Sequence, residues 1–181
     1  RDALRAVGVV ELVLQDDGSI FAQGPNPAEE TYTIAFSPGD RLVTGVRLEV
    51  LPDDRLSSRG PGRNDNGNLH LTEIELRRVS SGPPKADAKP LPIRRAVADF
   101  NQDGWSIEHA IDGDSRTAWG VFPQVGRPHE AVFELADDAT FNDGDLLECR
   151  LVQTYPAGHA IGRFRLSVTG SARPLNAVPL P

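Results

Sequence analysis

The sequence predicts an all-β fold, a β-sandwich formed by residues 1–181 as a single domain. Three observations predict it. Most apolar runs are only four to eight residues long, which suits strands better than helices. Several alternate apolar and polar side chains with period two, so that one face turns inward and the other outward. The 17 glycines and 15 prolines gather between those runs, as in Gly60-Pro61-Gly62 and Gly82-Pro83-Pro84, and mark turns.

Residues 7–15 are apolar enough for a buried strand, and Asp16-Asp17-Gly18 ends them with a turn signal. Residues 19–22 follow as the second arm of a hairpin. Residues 31–36 alternate and are rich in β-branched and aromatic side chains, which favours a half-buried strand. Residues 43–51 send Val46, Leu48 and Val50 to one face and Arg47 and Glu49 to the other. A strand over residues 68–76 puts Glu73 and Glu75 on the side of Leu69 and Leu71. An acid on such a face needs a partner, and a cation is one candidate.

Between these strands, residues 52–68 form a long loop with mixed charges, amides and three glycines. It reads either as a solvated connection or as part of a recognition rim. Residues 80–92, carrying Pro83, Pro84, Pro90 and Pro92, read as a Pro-rich linker between two halves of the sandwich. Neither half alone has enough strands to close a two-sheet core. Further strands are expected at 96–100, 131–135, 146–155 and 161–168. One helical turn is expected at 106–110, capped by Ser106.

The net charge of −7 argues against nucleic-acid or anionic-membrane binding, which usually needs a net basic face. Cys149 is the single cysteine, so there is no internal disulfide framework, and its thiol reads as a small core residue. No stretch approaches the roughly 20 apolar residues of a membrane span. The chain begins at Arg1 with no visible signal peptide and reads as a domain of a longer protein. Motifs for covalent haem attachment, zinc hydrolysis, phosphate binding and a serine nucleophile are absent from the sequence. Carboxylates abound, but nothing singles out a glycosidase pair, and the expectation is a non-enzyme.

The densest chemistry lies between Ala110 and Trp119. Asp112, Asp114 and Thr117 offer three side-chain oxygens, and Gly113 lets the backbone curl so that carbonyls such as that of Ala110 turn inward. A calcium-type cation takes about six to eight such oxygens. The competing reading is an Asx-rich turn in which Asp side chains satisfy local backbone donors.

The pattern Ala110-x-Asp112-Gly113-x-x-x-Thr117-x-Trp119 resembles a segment of discoidin-like modules, the galactose-binding jelly rolls. That resemblance implies a jelly-roll sandwich, a structural calcium at this turn and recognition of sugars or other surfaces through loops. Leu71-Thr72-Glu73-Ile74-Glu75-Leu76 is similar to the strand whose first acid helps hold the cation in those modules, which assigns Glu73 to the site. Here that strand precedes the turn, the inverse of the family's order, and implies a permuted arrangement. Over a wider span, residues 60–63, 66–68, 109–113, 126–129 and 159–167 resemble a domain of planctomycete-type multidomain proteins that also carry cytochrome c-like haem segments. This implies an exported accessory module with no assigned reaction.

Sugar recognition asks for flat apolar faces to stack on C–H-rich rings, with side chains that hydrogen-bond hydroxyls. Trp105, in a polar turn, is the exposed platform, whereas Trp119 is expected in the core. Tyr155 sits at a strand end beside a turn containing His159. Polar partners are available from Arg63, Asn64, Asn66, Gln124, Arg127, His129, His159 and Arg163. Their guanidinium forks suit an acidic polysaccharide as well as the amides suit a neutral one. The expectation is a non-catalytic carbohydrate-binding module with a structural Ca2+, directing a larger exported protein to a polysaccharide or oligosaccharide. The alternative is a structural or protein-interaction module that packs against other domains of a haem-containing parent chain. A hydrolase using paired carboxylates comes third.

Overall fold

A computed structural model describes residues 3–6, 9–80 and 88–178. Its strands are β1 (Ala3–Ala6), β2 (Glu11–Leu14), β3 (Ile20–Gln23), β4 (Glu30–Phe36), β5 (Arg41–Val50), β6 (Glu73–Val79), β7 (Ala88–Pro90), β8 (Ile93–Ala98), β9 (His129–Phe141), β10 (Leu146–Gln153) and β11 (Arg163–Thr169). They form two antiparallel sheets, in the orders β1-β4-β10-β6-β7 and β2-β3-β11-β5-β9-β8. Short 3-10 turns occupy Ser57–Arg59 and Ile107–Ile111. No helix among the described residues is long and apolar enough to cross a membrane.

Side-chain alternation explains how the sheets meet. β10 is the middle strand of its sheet and buries Leu147, Cys149, Leu151 and Gln153. Tyr32 and Ile34 of β4 and Ile74 and Leu76 of β6 join them, facing Val46, Leu48, Val50, Phe133 and Phe164 from the other sheet. The rings of Tyr32 and Phe164, one from each sheet, lie 5.8 Å apart and nearly parallel. Each fully buried Val, Leu or Phe contributes about 1.5–3 kcal/mol, against about 0.5–1.5 kcal/mol net for one hydrogen bond. The face pattern, rather than backbone pairing, therefore decides the register. Burial also raises the Cys149 thiol far above its ordinary range.

Strands from either side of residue 80 interleave in both sheets: β10 lies between β4 and β6, and β5 between β11 and β9. Of the expected Pro-rich linker, residues 88–90 form β7 on the edge beside β6, and residues 81–87 lie outside the described residues. Residues 7 and 8 of the first expected strand lie outside them as well. The hairpin that follows is present as β2 and β3.

The expected strand at 68–76 divides in two. β6 begins at Glu73, and residues 67–72 leave the sheet as a buried segment held by a two-way backbone pairing of Leu71 with Trp119, at 3.0 and 2.9 Å. Leu69 and Leu71 are thus buried among loops and do not share a sheet face with Glu73 and Glu75. β9 runs well past the expected 131–135, with its register against β5 broken between Val43 and Gly45. β10 stops at Gln153, short of the expected Tyr155, because the hydroxyl of Thr72 accepts the N–H groups of Thr154 and Tyr155 at 3.1 and 3.0 Å.

Residues 170–178 run across the outer face of the six-stranded sheet. There Leu175 N–H donates to Glu134 at 2.7 Å and Val178 N–H to Glu130 at 2.9 Å. Gly45 makes room for this strap: a Cβ there would fall 2.3 Å from Leu175 Cδ1 and 2.8 Å from the Phe133 carbonyl oxygen.

Candidate functional site

Four aromatic rings make a ladder among the connections between strands. His70 comes from the buried 67–72 segment, Trp105 from the turn before the second 3-10 helix, and Tyr155 and His159 from the connection between β10 and β11. His70 lies 4.1 Å from His159 and 4.3 Å from Trp105, nearly parallel to both. Two rings at such distances would clash on one face, so His159 and Trp105 enclose the imidazole from opposite sides. Trp105 in turn stacks with Tyr155 at 6.2 Å. The ladder leads from the interior to solvent: His70 is 5% exposed and Tyr155 39%, with Trp105 and His159 half-buried.

Asn68 fixes the inner end. Its Oδ1 accepts the backbone N–H groups of Val121 and Phe122 at 3.0 and 3.1 Å, which turns its Nδ2 toward Gln102 Oε1 at 2.9 Å and His70 Nε2 at 3.1 Å. His70 Nε2 is therefore an acceptor, and the ring proton sits on Nδ1. That Nδ1 is buried without a partner. Burial, with the charge of His159 adding to it, pushes His70 down to about 3, so the ring is neutral across the physiological range. Gly120 permits this packing, since a Cβ there would meet Gln102 Oε1 at 2.7 Å and His70 Cδ2 at 2.9 Å.

Of the side chains expected to contact a ligand, Trp105, Tyr155 and His159 belong to the ladder. Asn64 lies beside it, donating to the Gly158 carbonyl at 3.3 Å. Asn66 is exposed, and its Oδ1 accepts the Asn68 N–H at 2.8 Å. Arg63 is half-buried and donates to the Gly24 carbonyl. Arg163 is drawn away into a latch, with its Nη2 2.6 Å from Asp17 and its Nε donating to Ser19 at 2.9 Å. His129 is fully buried; its ring nitrogens face Asp99 Oδ2 at 3.0 Å and the Gln124 carbonyl at 2.7 Å. Both contacts are internal, and His129 braces the loop rather than meeting a ligand. Gln124 Oε1 accepts from the exposed Arg127 at 2.9 Å. Sequence reasoning passed over His70, Asn68, Gln102 and Asn26. Their signal was faint: His70 looked like one position of an alternating strand, and the amides looked like turn residues.

Trp119 is fully buried, with its indole N–H donating to the Phe100 carbonyl at 3.0 Å. Its pairing with Leu71 carries the Asp112 turn against β6. There Gly113 N–H donates to Glu73 Oε1 at 2.6 Å, and Thr117 Oγ1 donates to Asp112 Oδ2 at 2.9 Å. Of the five expected cation ligands, Asp114 turns away, its carboxylate gripped by Arg116 at 2.9 and 3.0 Å and held down at about 2 by hydrogen bonds from that residue. Glu73 stands above the usual carboxylate range, first through burial and then through the charge of Asp112 beside it. Thr117, Asp112 and the Ala110 carbonyl remain on the same turn. Among the described residues no three acidic, histidine or cysteine side chains gather as a metal-ligand group. What fits a hard cation is the like-charged Glu73–Asp112 contact, which a cation would relieve.

The chain matches no known protein family, no curated protein and no solved structure. What the site does must be read from its geometry. The neutral His70 ring holds its neighbours in place and exchanges no protons near neutral pH. Trp105 and Tyr155 present partly exposed π faces at the outer end, with the amides of Asn64 and Asn66 on the loop alongside. Such a combination of flat apolar faces and fixed polar groups suits the binding of a ring-shaped, hydroxyl-rich ligand.

Proposed function

We propose that this chain is a non-catalytic carbohydrate-binding module of discoidin-like, jelly-roll type that directs a larger exported protein to a polysaccharide. The observation that carries the proposal is the Trp105–Tyr155 pair, half in solvent and backed by a buried imidazole. Two antiparallel sheets whose connecting loops supply the rings of the ladder support the same reading. Trp105→Ala removes the central rung of the platform. Loss of such an anchor costs about 2 kcal/mol or more, roughly thirtyfold in Kd, while Trp105→Phe keeps a ring and most of the affinity. Titration calorimetry against a panel of soluble polysaccharides measures this. Absence of binding across neutral, uronic and sulfated members of the panel would reject the proposal.

A structural calcium belongs to the same reading, held by Glu73 and Asp112 with the Thr117 hydroxyl and the Ala110 carbonyl. The ion would supply positive charge to the two carboxylates and fasten the turn to β6. A second reading, a module that packs against other domains of its parent chain, is favoured by Val9 and Leu14. These two lie 66% and 61% exposed at and beside the edge strand β2. It predicts association of the isolated chain with the remainder of its parent protein, unaffected by added sugar and abolished by Leu14→Asp.

A further inference from the structure

On the outer face of the six-stranded sheet, strand pairing sets side chains in rows. Arg165, Glu49 and Glu130 make one row, Ser167, Arg47 and Val132 the next, and Thr169, Gly45 and Glu134 the one after. The strap crosses the last of these at Leu175, where Gly45 has no side chain to obstruct it, and reaches the first at Val178. Over the middle row lies a groove of about 500 Å3, lined by Arg47, Val132 and Ser167 of the sheet and by Leu175, Asn176 and Val178 of the strap, among others. Its volume falls in the range of small-molecule sites, about 300–1,000 Å3. It is separate from the ring ladder: Ser167 lies four residues past Arg163, where β11 begins, about 13 Å along the strand.

The polar groups of this groove have capacity to spare. Arg47, with 42% of its side chain exposed, is engaged only at long range: Nε with Ser167 Oγ at 3.1 Å, Nη1 with Glu130 at 3.4 Å and Nη2 with Glu49 at 3.3 Å. Each terminal nitrogen of a guanidinium carries a second N–H, and neither second group has a partner among the described residues. Ser167 accepts from Arg47 but donates to nothing described, and the exposed Asn176 amide makes no hydrogen bond among the described residues. Val132 and Leu175 close the floor, and Val178, 65% exposed, offers an apolar wall. The lining charges, Arg47 and Glu130, cancel. A bound anion would meet the carboxylates of Glu49 and Glu130 against the same guanidinium, whereas an uncharged oxygen takes its N–H groups without that repulsion.

We infer that the groove beneath the strap is a second carbohydrate subsite that takes one uncharged sugar residue, so that the module grips a neutral polysaccharide at two separate places. This inference rests on the carbohydrate-binding reading. Sugar hydroxyls both donate and accept, which matches a rim of guanidinium, hydroxyl and amide, while the C–H face of the ring rests on Val178. Glu49, held by Arg165 through both oxygens at 2.8 Å, keeps Arg47 in place without entering the groove.

The test titrates the intact chain, labelled at its Val and Leu methyl groups, with neutral gluco-, manno- and xylo-oligosaccharides and with oligogalacturonate. Nuclear magnetic resonance reads the Leu175 and Val178 methyls for the groove and the Trp105 indole N–H for the ladder. A neutral oligosaccharide is expected to shift both reporters in the wild type and to shift the methyls still in Trp105→Ala. Arg47→Gln and Ser167→Ala should each weaken the methyl-reported affinity by about tenfold and leave the indole-reported affinity unchanged. Ser167→Ala removes a single hydroxyl and carries the comparison where Arg47→Gln fails to fold. Indole shifts without methyl shifts overturn the groove subsite and leave the carbohydrate reading standing. Methyl shifts that are as strong with oligogalacturonate overturn the preference for an uncharged residue and the inference with it. Methyl shifts alone uphold the groove and remove Trp105 from the carbohydrate reading, and no shift at either reporter with any of these sugars rejects both.

Discussion

Replacing Asn68 by alanine tests the inner support of the ladder. The substitution removes four hydrogen bonds at once. Phe122 N–H keeps Gln102 Oε1 at 3.1 Å, so two buried groups are stranded, the Val121 N–H and His70 Nε2. Each unsatisfied buried group costs about 1–3 kcal/mol, so Asn68→Ala should destabilise the fold by about 2–6 kcal/mol. Urea denaturation followed by tryptophan fluorescence gives this value, and near-UV circular dichroism reports whether Trp105 is still stacked. Asn68→Asp isolates the tautomer. A carboxylate only accepts, so His70 must carry its proton on Nε2, and its pKa should rise from about 3 by about one to two units, since a charge-assisted hydrogen bond is worth about 1.5–3 kcal/mol. Nitrogen-15 correlation spectra of the imidazole distinguish the two tautomers. A loss below about 1 kcal/mol for Asn68→Ala, or an Nε2–H ring in the wild type, would refute the reasoning.

Three further outcomes follow from the same geometry. Hydrogen bonds from Ser19, then the charge of Arg163, hold Asp17 at about 2 against an ordinary 3.8; its contribution is present above 3.8 and fades as pH falls toward 2, so Asp17→Asn should flatten the acid limb of the stability curve. Glu73 is raised instead, so its contribution is fullest below the usual carboxylate range and is lost as pH rises through its shifted value. Glu73→Gln should therefore keep or raise the Tm at neutral pH in chelator, while calcium should raise the Tm of the wild type alone, both measured by calorimetry. Gly45→Ala forces a Cβ against Leu175 and the Phe133 carbonyl and should cost about 1–3 kcal/mol, with the Leu175 and Val178 amides of the loosened strap exchanging hydrogen faster.

The strands were legible where burial alternates. Residues of β4 and β10 announce their faces because each strand has one side in the core and one outside it. Where a segment is buried on all sides the alternation misleads: Leu69 and Leu71 have the spacing of a strand face yet are enclosed by loops, and Trp119 rather than a neighbouring strand supplies the backbone partner of Leu71. The short edges β1 and β7 gave no signal of their own, since an edge strand of three or four residues needs only one partner to form. At the site, Trp105, Tyr155 and His159 could be suspected from aromatic character in turns. Their common neighbour His70 could not, because a stack assembled from three separate connections depends on contacts distant in sequence. His129 had the composition of a ligand-binding residue; only the positions of Asp99 and Gln124 reveal it as a brace.

On the proposed function, folding and recognition are divided by depth along the ladder. At the inner end, Asn68, which also holds the His70 ring, satisfies backbone groups of the 119–122 segment, and that segment holds the Asp112 turn against β6 through the Leu71–Trp119 pairing. Perturbing this end therefore disturbs both the candidate cation site and the platform. At the outer end, the side chains of Trp105 and Tyr155 touch each other and, through Trp105, His70, while the backbone bonds that set the Trp105 turn run through Gln102 and Gly120 instead. Truncating an outer ring removes contact area from a ligand and leaves those backbone bonds intact. Ligand affinity should then fall steeply for changes at either end, whereas thermal stability should fall steeply only for changes at the inner one.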